Sequence, residues 1–345
     1  MLAGKRKTAI FGFCDIRGFA SVNEILQEKT MVFVNEVADI VHSSVDRYGG
    51  AANKNIGDAF LMVWKFSSKA SARRDTLIEF DSKKKAGMFR SCQTQADMAV
   101  LGYLKVIIRI NKDNRILAYK DNPEIKEKLH NYKVNMGFGL HLGWAIEGAV
   151  GSTYKIDASY LSPNVNMAAR LEAATRQYGV TLLISGQVYD YLSDEIKNIC
   201  RHIDTVEVKG SKVPIRLFTI DVNLNLKPSR KYYNMSVRER INLYKEKKAK
   251  LLKDIDELDA RHVIFTKKTF KELLKTGRPK KFYKLFSRGM ESYTGGKWDK
   301  AHKLFNDCLK LVNDDRPTKV LLKYMEEYNY IAPQSWKGYR SLTSK

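Results

Sequence analysis

Phe13-Cys14-Asp15-Ile16-Arg17-Gly18-Phe19 closes one apolar run of the chain, and Asn53-Lys54-Asn55-Ile56-Gly57-Asp58 leads into another. Each places a lone carboxylate near a glycine at the end of a β-prone stretch. Ile10, Phe11, Phe13 and Ile16 surround Asp15, and Ala59-Phe60-Leu61-Met62-Val63-Trp64 follows Asp58. Two neighbouring strands would therefore hold both carboxylates on one sheet edge. Hard divalent cations take oxygen ligands, and Mg²⁺ commonly uses only one or two protein carboxylates, leaving its other positions to water and phosphate. An Asp near Gly is also ordinary turn chemistry, so neither motif decides the matter alone.

Working outward, residues 8 to 16 read as a strand and Ser21 to Tyr48 as a helix, with Val22, Ile25, Leu26, Val32, Phe33, Val37, Ile40 and Val41 near helical spacing and Gly49-Gly50 as the stop. Residues 51 to 56 and 59 to 65 form a hairpin that turns at Gly57-Asp58. The polar stretch Ser67 to Gln93 reads as an inserted loop, followed by a helix from about Gln95 to Ile110. Strands are expected at 133–142 and 144–151, a helix at 163–178, and strands at 180–184, 203–209 and 214–221. This mixture of hairpins and crossover helices predicts an α+β fold with a mainly antiparallel sheet.

A third segment, Asn164-Val165-Asn166-Met167-Ala168-Ala169-Arg170-Leu171-Glu172, sets Asn166 and Arg170 four apart, on one helical face. With the two Asp motifs this becomes a candidate anion site. At these three segments, in this order, the chain resembles the class III nucleotidyl cyclases, the family of adenylyl and guanylyl cyclase catalytic domains. The resemblance covers about residues 8 to 222, and Lys155 to Arg170 is most similar to cyclases of unicellular eukaryotes and the bicarbonate-responsive soluble type.

The resemblance implies a ferredoxin-like βαββαβ core and an adenylyl cyclase that converts ATP to cyclic AMP and pyrophosphate as a head-to-tail homodimer. Two Mg²⁺ or Mn²⁺ ions per site would be bound by Asp15, Asp58 and the carbonyl of Ile16. Backbone amides near Gly18 and Phe19 would cradle the phosphates, Asn166 would orient the ribose, and Arg170 would meet charge developing on the α-phosphate. Lys209 matches a family lysine that contacts the terminal phosphates. Where the family often has an arginine after His-x-Gly, this chain reads His141-Leu142-Gly143-Trp144, and Trp144 supplies no charge.

Lys54 falls where adenylyl cyclases carry lysine and guanylyl cyclases glutamate; lysine can donate to adenine N1, whereas guanine's edge needs an acceptor. The second base-reading position is Ser159, with Asp157 two residues earlier on the same strand face. The rival readings are a guanylyl cyclase, disfavoured by Lys54, and a non-catalytic nucleotide-binding or scaffolding module whose basic helical tail is the functional part.

Composition bounds the rest. The 345 residues suffice for more than one domain. No run of about 18 uncharged apolar residues spans a membrane. Asp15 and Arg17 interrupt the first apolar stretch too early for a signal peptide. Cys14, Cys92, Cys200 and Cys308 form no CxxC pair and suit a reducing, cytoplasmic compartment. The first strand begins close to Met1, which leaves a sensor or membrane-associating region to a longer parent chain.

Of the net +23, residues 1–223 carry 31 basic and 24 acidic side chains, giving +7, and residues 224–345 carry 30 and 14, giving +16. The expected organisation is therefore a catalytic domain at 1–223, a basic helical linker at 224–281, charged and long from Ser236 to Ala260, and a hairpin with tail at 282–345. That hairpin is tetratricopeptide-like, with Leu285, Gly289, Ala301, Phe305 and Cys308 at the repeat's packing positions and Tyr293 one place off. A lone helical hairpin does not stabilise itself, so it packs on the catalytic domain or on further repeats. The basic surplus suits an acidic protein or membrane surface, and nothing in it specifies a nucleic acid.

Overall fold

The computed structural model describes residues 3–66, 82–208, 213–228, 236, 238–239, 241–250, 253 and 268–342. Its frame is a nine-stranded sheet. Strand β1 (Lys5–Ile16) leads into α1 (Phe19–Leu26) and α2 (Thr30–Arg47); β2 (Ala51–Ile56) and β3 (Ala59–Lys65) form the expected hairpin; α3 spans Ser82–Ile110. Then come β4 (Met136–Gly151), β5 (Ile156–Leu161), α4 (Pro163–Tyr178), β6 (Leu182–Ser185), β7 (Cys200–Val208) and β8 (Ile215–Ile220). The order is β2-β3-β1-β4-β6-β8-β7-β9, with β5 paired to β4.

Within it β2, β3, β1 and β4 lie in the order 2-3-1-4, each antiparallel to its neighbour, which is the ferredoxin-like arrangement. Only β4 with β6 and β7 with β9 run parallel. Strand β3 reads as a continuous apolar run because it is buried on both faces, all but Lys65. The hairpin turn is possible because Gly57 takes φ +62°, a left-handed value that favours glycine.

Several sequence expectations need correction. The helix expected from Ser21 to Tyr48 is two, divided at Gln27 with φ +47°. The strands expected at 133–142 and 144–151 are one, since Gly143 stays in the ladder opposite Ala9. The strand on which Asp157 and Ser159 were expected to share a face is β5, Ile156–Leu161. Helix α3 begins at Ser82, inside the stretch read as a loop; residues 67–81 lie outside the described residues. In the expected helix from Ser236 to Ala260, residues 241–250 are helical and most of the remainder lies outside the described residues.

The C-terminal part is not all helical. After α5 (Lys268–Leu274), α6 (Lys280–Thr294), α7 (Trp298–Leu311) and α8 (Arg316–Glu326), strand β9 (Arg340–Leu342) adds itself to β7. Phe270 and Leu273 of α5 enter the core beneath α2 and α3. Phe282, Phe286, Tyr293, Trp298 and Phe305 share a second core with Met167, Leu171, Tyr178, Leu183 and Ile203. Leu182 and Ile184 of β6 belong to the first core and Leu183 to the second, so the C-terminal helices pack on both faces of the sheet across the boundary expected at 223. Gly289 lets α6 and α7 close up, since a Cβ there would lie 2.6 Å from the Phe305 ring. Tyr293, one place off the repeat spacing, is fully buried and stacks on Trp298.

Arginines stitch this contact. Arg201 on β7 makes two hydrogen bonds of 3.0 Å to the two carboxylate oxygens of Asp315, the N-cap of α8, and one of 2.7 Å to Asp221. Arg340 on β9 donates to Asp204 at 2.8 Å and to the Tyr178 hydroxyl at 3.1 Å, and that hydroxyl donates to Asp204 at 2.6 Å.

Candidate active site

The register of β1 against β3 sets Asp15 opposite Ala59, and the Ile16 amide donates to the Asp58 carbonyl at 3.3 Å. The hairpin turn therefore delivers Asp58 beside Asp15, and their carboxyl groups are within hydrogen-bond reach. On the other side of β1, Asp15 faces Gly137 of β4. A side chain there would have to displace Glu172, because a Cβ would lie 2.1 Å from Glu172 Oε1 and 2.8 Å from Thr175 Oγ1. Gly137 thus admits Glu172 of α4, which is 3% exposed and whose Oε1 has no hydrogen-bond partner.

Three carboxylates crowd one place. Burial first, then the Asp58 carboxyl and Glu172, push Asp15 up to about 7, against the opposing pull of Arg176. Glu172 is likewise raised by burial, with Arg176 and Arg17 opposing. Two guanidinium groups answer: Arg176 donates to Asp15, and Arg17 donates to Thr175 Oγ1 at 2.8 Å and to the Val180 carbonyl at 3.0 Å. Among the described residues no group of three or more His, Cys, Asp or Glu side chains is arranged to hold a metal. The Asp15–Asp58 pair is the donor set that would suit a divalent cation, because its mutual repulsion is only partly offset by Arg176. Beside it Gly18 takes φ +67° at the N-cap of α1, which turns the chain just after Asp15, and Phe19 begins the helix while its ring packs on the core.

The second wall lies elsewhere on the chain. At 100° per residue, Asn166 and Arg170 point nearly opposite to Glu172 and Thr175 around α4. Both are exposed, whereas Met167, Ala168, Leu171 and Glu172 are buried. Sequence spacing put Asn166 and Arg170 on one face, and so they are, but that face turns away from the carboxylates of the same chain. A bulge between Ala52 and Lys54 rotates Lys54 on β2 towards β5. There its ammonium lies 4.0 Å from Asp157 Oδ2. Ser159 pairs with Gly148 and is half-buried like Asp157, so Lys54, Asp157 and Ser159 gather in one place. Lys209 lies outside the described residues.

Trp144 pairs with Thr8, seven residues along β4 from Gly137, which is about 23 Å at the rise of a strand. Arg6 stacks on its ring, 5.2 Å from the centroid. The charge at the site comes from Arg17 and Arg176, which sequence reasoning passed over. Asn164 was missed too: it bonds His141 at 3.2 Å and the Trp144 carbonyl at 2.8 Å, locking α4 onto β4. Its signal was the tightness of Gly143, where a Cβ would lie 2.2 Å from the Asn164 side chain. Burial pushes His141 down to about 4, so it is neutral there.

A ferredoxin-like α+β domain that carries a carboxylate pair where its first helix begins defines a class of cation-dependent phosphate site. Residues 4–222 match the adenylate and guanylate cyclase catalytic domain, and the chain belongs to that family. An adenylate cyclase of Anabaena cylindrica is 27% identical over 220 residues, 63% of this chain and 37% of that protein. Adenylate cyclase 1 of Rhizobium meliloti is 27% identical over 209 residues, 60% of this chain and 26% of its own length. The chain spans well under half of both relatives. Among solved structures, a bacterial light-regulated adenylyl cyclase aligns with a TM-score of 0.47 at 23% identity over 73% of this chain and 59% of that one. The guanylyl cyclase Cya2 aligns with a TM-score of 0.42 at 21% identity over 68% and 100%.

Proposed function

We propose that the chain is an adenylyl cyclase that forms cyclic AMP and pyrophosphate from ATP at sites shared between two copies. The observation that carries the reading is the Asp15–Asp58 pair, in which Asp15 is raised to about 7 despite its ion pair with Arg176, set beside the glycine turn that starts α1. Mg²⁺ or Mn²⁺ held by these two residues and the Ile16 carbonyl would supply Lewis-acid stabilisation of the triphosphate and acidify the attacking hydroxyl. The chain's own groups do the rest. Amides near Gly18 and Phe19 face the phosphates, and Arg17 and Arg176 add positive charge at the same end. Asn166 orients the ribose and Arg170 stabilises charge that grows on the α-phosphate as the 3′-oxygen attacks.

The outward face of Asn166 and Arg170 supports a split site, because these two cannot serve the carboxylates behind their own helix. A two-fold dimer would bring the outer face of one copy to the carboxylates of the other, giving two equivalent sites. Lys54 as donor, with Ser159 or Asp157 as acceptor, suits adenine. Product analysis with ATP and GTP, each with Mg²⁺ and with Mn²⁺, tests the reading. Cyclic AMP from ATP is expected; cyclic GMP as the main product, or neither nucleotide cyclised by a protein shown to dimerise, would overturn it.

Among the described residues no helix is long and apolar enough to cross a membrane.

A further inference from the structure

A second concave site lies away from the carboxylates, between the end of α3, the turn before residue 120, the segment that enters β4, and the chain that leaves β8. It is a cavity of about 510 Å³, within the range of small-molecule sites. Its floor is apolar, from Ile110, Leu117, Val134 and Leu226. Its charged groups are all cationic. Lys120, Lys133 and Lys227 line it with no acidic side chain among the lining residues; the Lys133 ammonium donates to the Leu224 carbonyl at 2.7 Å, and burial lowers it below the usual lysine value.

We propose that this cavity binds a small amphipathic anion, an apolar body carrying one carboxylate-type head, and that its occupancy acts on the catalytic carboxylates. The apolar floor takes the body and the lysines take the charge. Coupling has a short covalent and hydrogen-bonded route. A narrower void shares Ile110, Asn111 and Leu224 with the cavity and reaches Asn135 and Met136. The Asn135 carbonyl accepts from the Arg17 amide at 2.9 Å, and Met136 pairs with Ile16, next to Asp15. A ligand that shifts residues 131–135 therefore shifts the turn that carries the metal-binding backbone. Only this second half rests on the cyclase reading.

Calorimetric titration of the full chain with decanoate, and with decanol as the uncharged analogue, separates the two halves. Saturable decanoate binding near or below about 1 mM, with decanol about tenfold weaker, is expected. The exposed pair Lys120→Glu and Lys227→Glu should weaken decanoate about tenfold with little effect on decanol, and Leu117→Trp, which fills the cavity, should abolish both. No saturable binding, equal binding of the two probes, or indifference to these variants would overturn the site. With binding established, decanoate should change cyclic nucleotide formation at saturating ATP at least about twofold in wild type and not in the lysine double variant. An unchanged rate would overturn the coupling.

Discussion

Two clusters of charge in this molecule are built from the same residue types and come out opposite. Behind α4 each carboxylate is answered: Asp221 and Asp315 meet Arg201 and Arg278, and Asp204 meets Arg340. Burial alone would raise Asp315, yet Arg201 and the Thr318 groups hold its carboxyl below the usual range. At the other cluster Asp15, Asp58 and Glu172 meet only Arg17 and Arg176, and Asp15 is driven up to about 7. The counter-ion there is also loosely held, since Arg176 is 57% exposed while Asp15 is 14% exposed. A balanced, dry cluster fastens elements together; an unbalanced one at an open edge is a place for a mobile cation.

The sharpest way to break this contrast is neutralisation at each cluster. Asp15→Asn or Asp58→Asn should reduce turnover by at least about a thousandfold while leaving the melting temperature unchanged or higher, because a repulsion is removed. Asp204→Asn should do the reverse in kind. It leaves Arg340 buried and uncompensated, costing about 3–5 kcal/mol of stability, with activity lost only through unfolding. Circular-dichroism melting beside an activity assay checks both, and a stabilised Asp204 variant or an unfolded Asp15 variant would end the comparison. The shared core also predicts that a chain cut at Asn223 would expose Phe282's partners Ile203 and Leu183 and fail to fold.

The next effect concerns whose cluster completes the site. Mixing inactive Asp58→Ala and Arg170→Ala proteins should restore roughly a quarter of wild-type activity, since random pairing makes half the dimers mixed and each has one intact site. Zero recovery from a mixture shown by native mass spectrometry to exchange subunits would rule out the shared site. A smaller shift is expected in base choice. Lys54→Glu with Ser159→Cys should move the ATP:GTP ratio of kcat/KM by about tenfold to a hundredfold toward GTP. An unchanged ratio would remove Lys54 from the base pocket.

Most of the fold and half of the site could be read in advance, for identifiable reasons. The hairpin at Gly57-Asp58 and the helix after Pro163 announce themselves through turn and cap chemistry, which is local. What failed was non-local. Arg176 looks like an ordinary solvated helix residue until the tertiary fold sets it against Asp15, 161 residues away. Spacing from His141 likewise says nothing of how far Trp144 lies from Asp15; only the β1–β4 register does. Strand β9 is three residues long and exists because Arg340 finds Asp204 and Tyr178. No periodicity over three residues could reveal it.

The pH behaviour refines the contrast with the least perturbation. A carboxyl raised in the folded state keeps its proton longer than in the unfolded chain, so the metal-free protein should lose stability as pH rises from about 4 through about 7. Asp15→Asn should flatten that decline. For the same reason cation binding must displace the proton, so apparent affinity should climb up to about tenfold per pH unit below pH 7 and level off above it.

Direct titration of the nucleotide-free protein with Mn²⁺ at pH 8, in wild type and in the Asp15→Asn and Asp58→Asn variants, addresses the carboxylate pair without any turnover. Binding in wild type that weakens at least about tenfold in each variant, with Tm preserved, is the predicted result. Equal Mn²⁺ affinity in all three proteins would show that Asp15 and Asp58 are not the cation site.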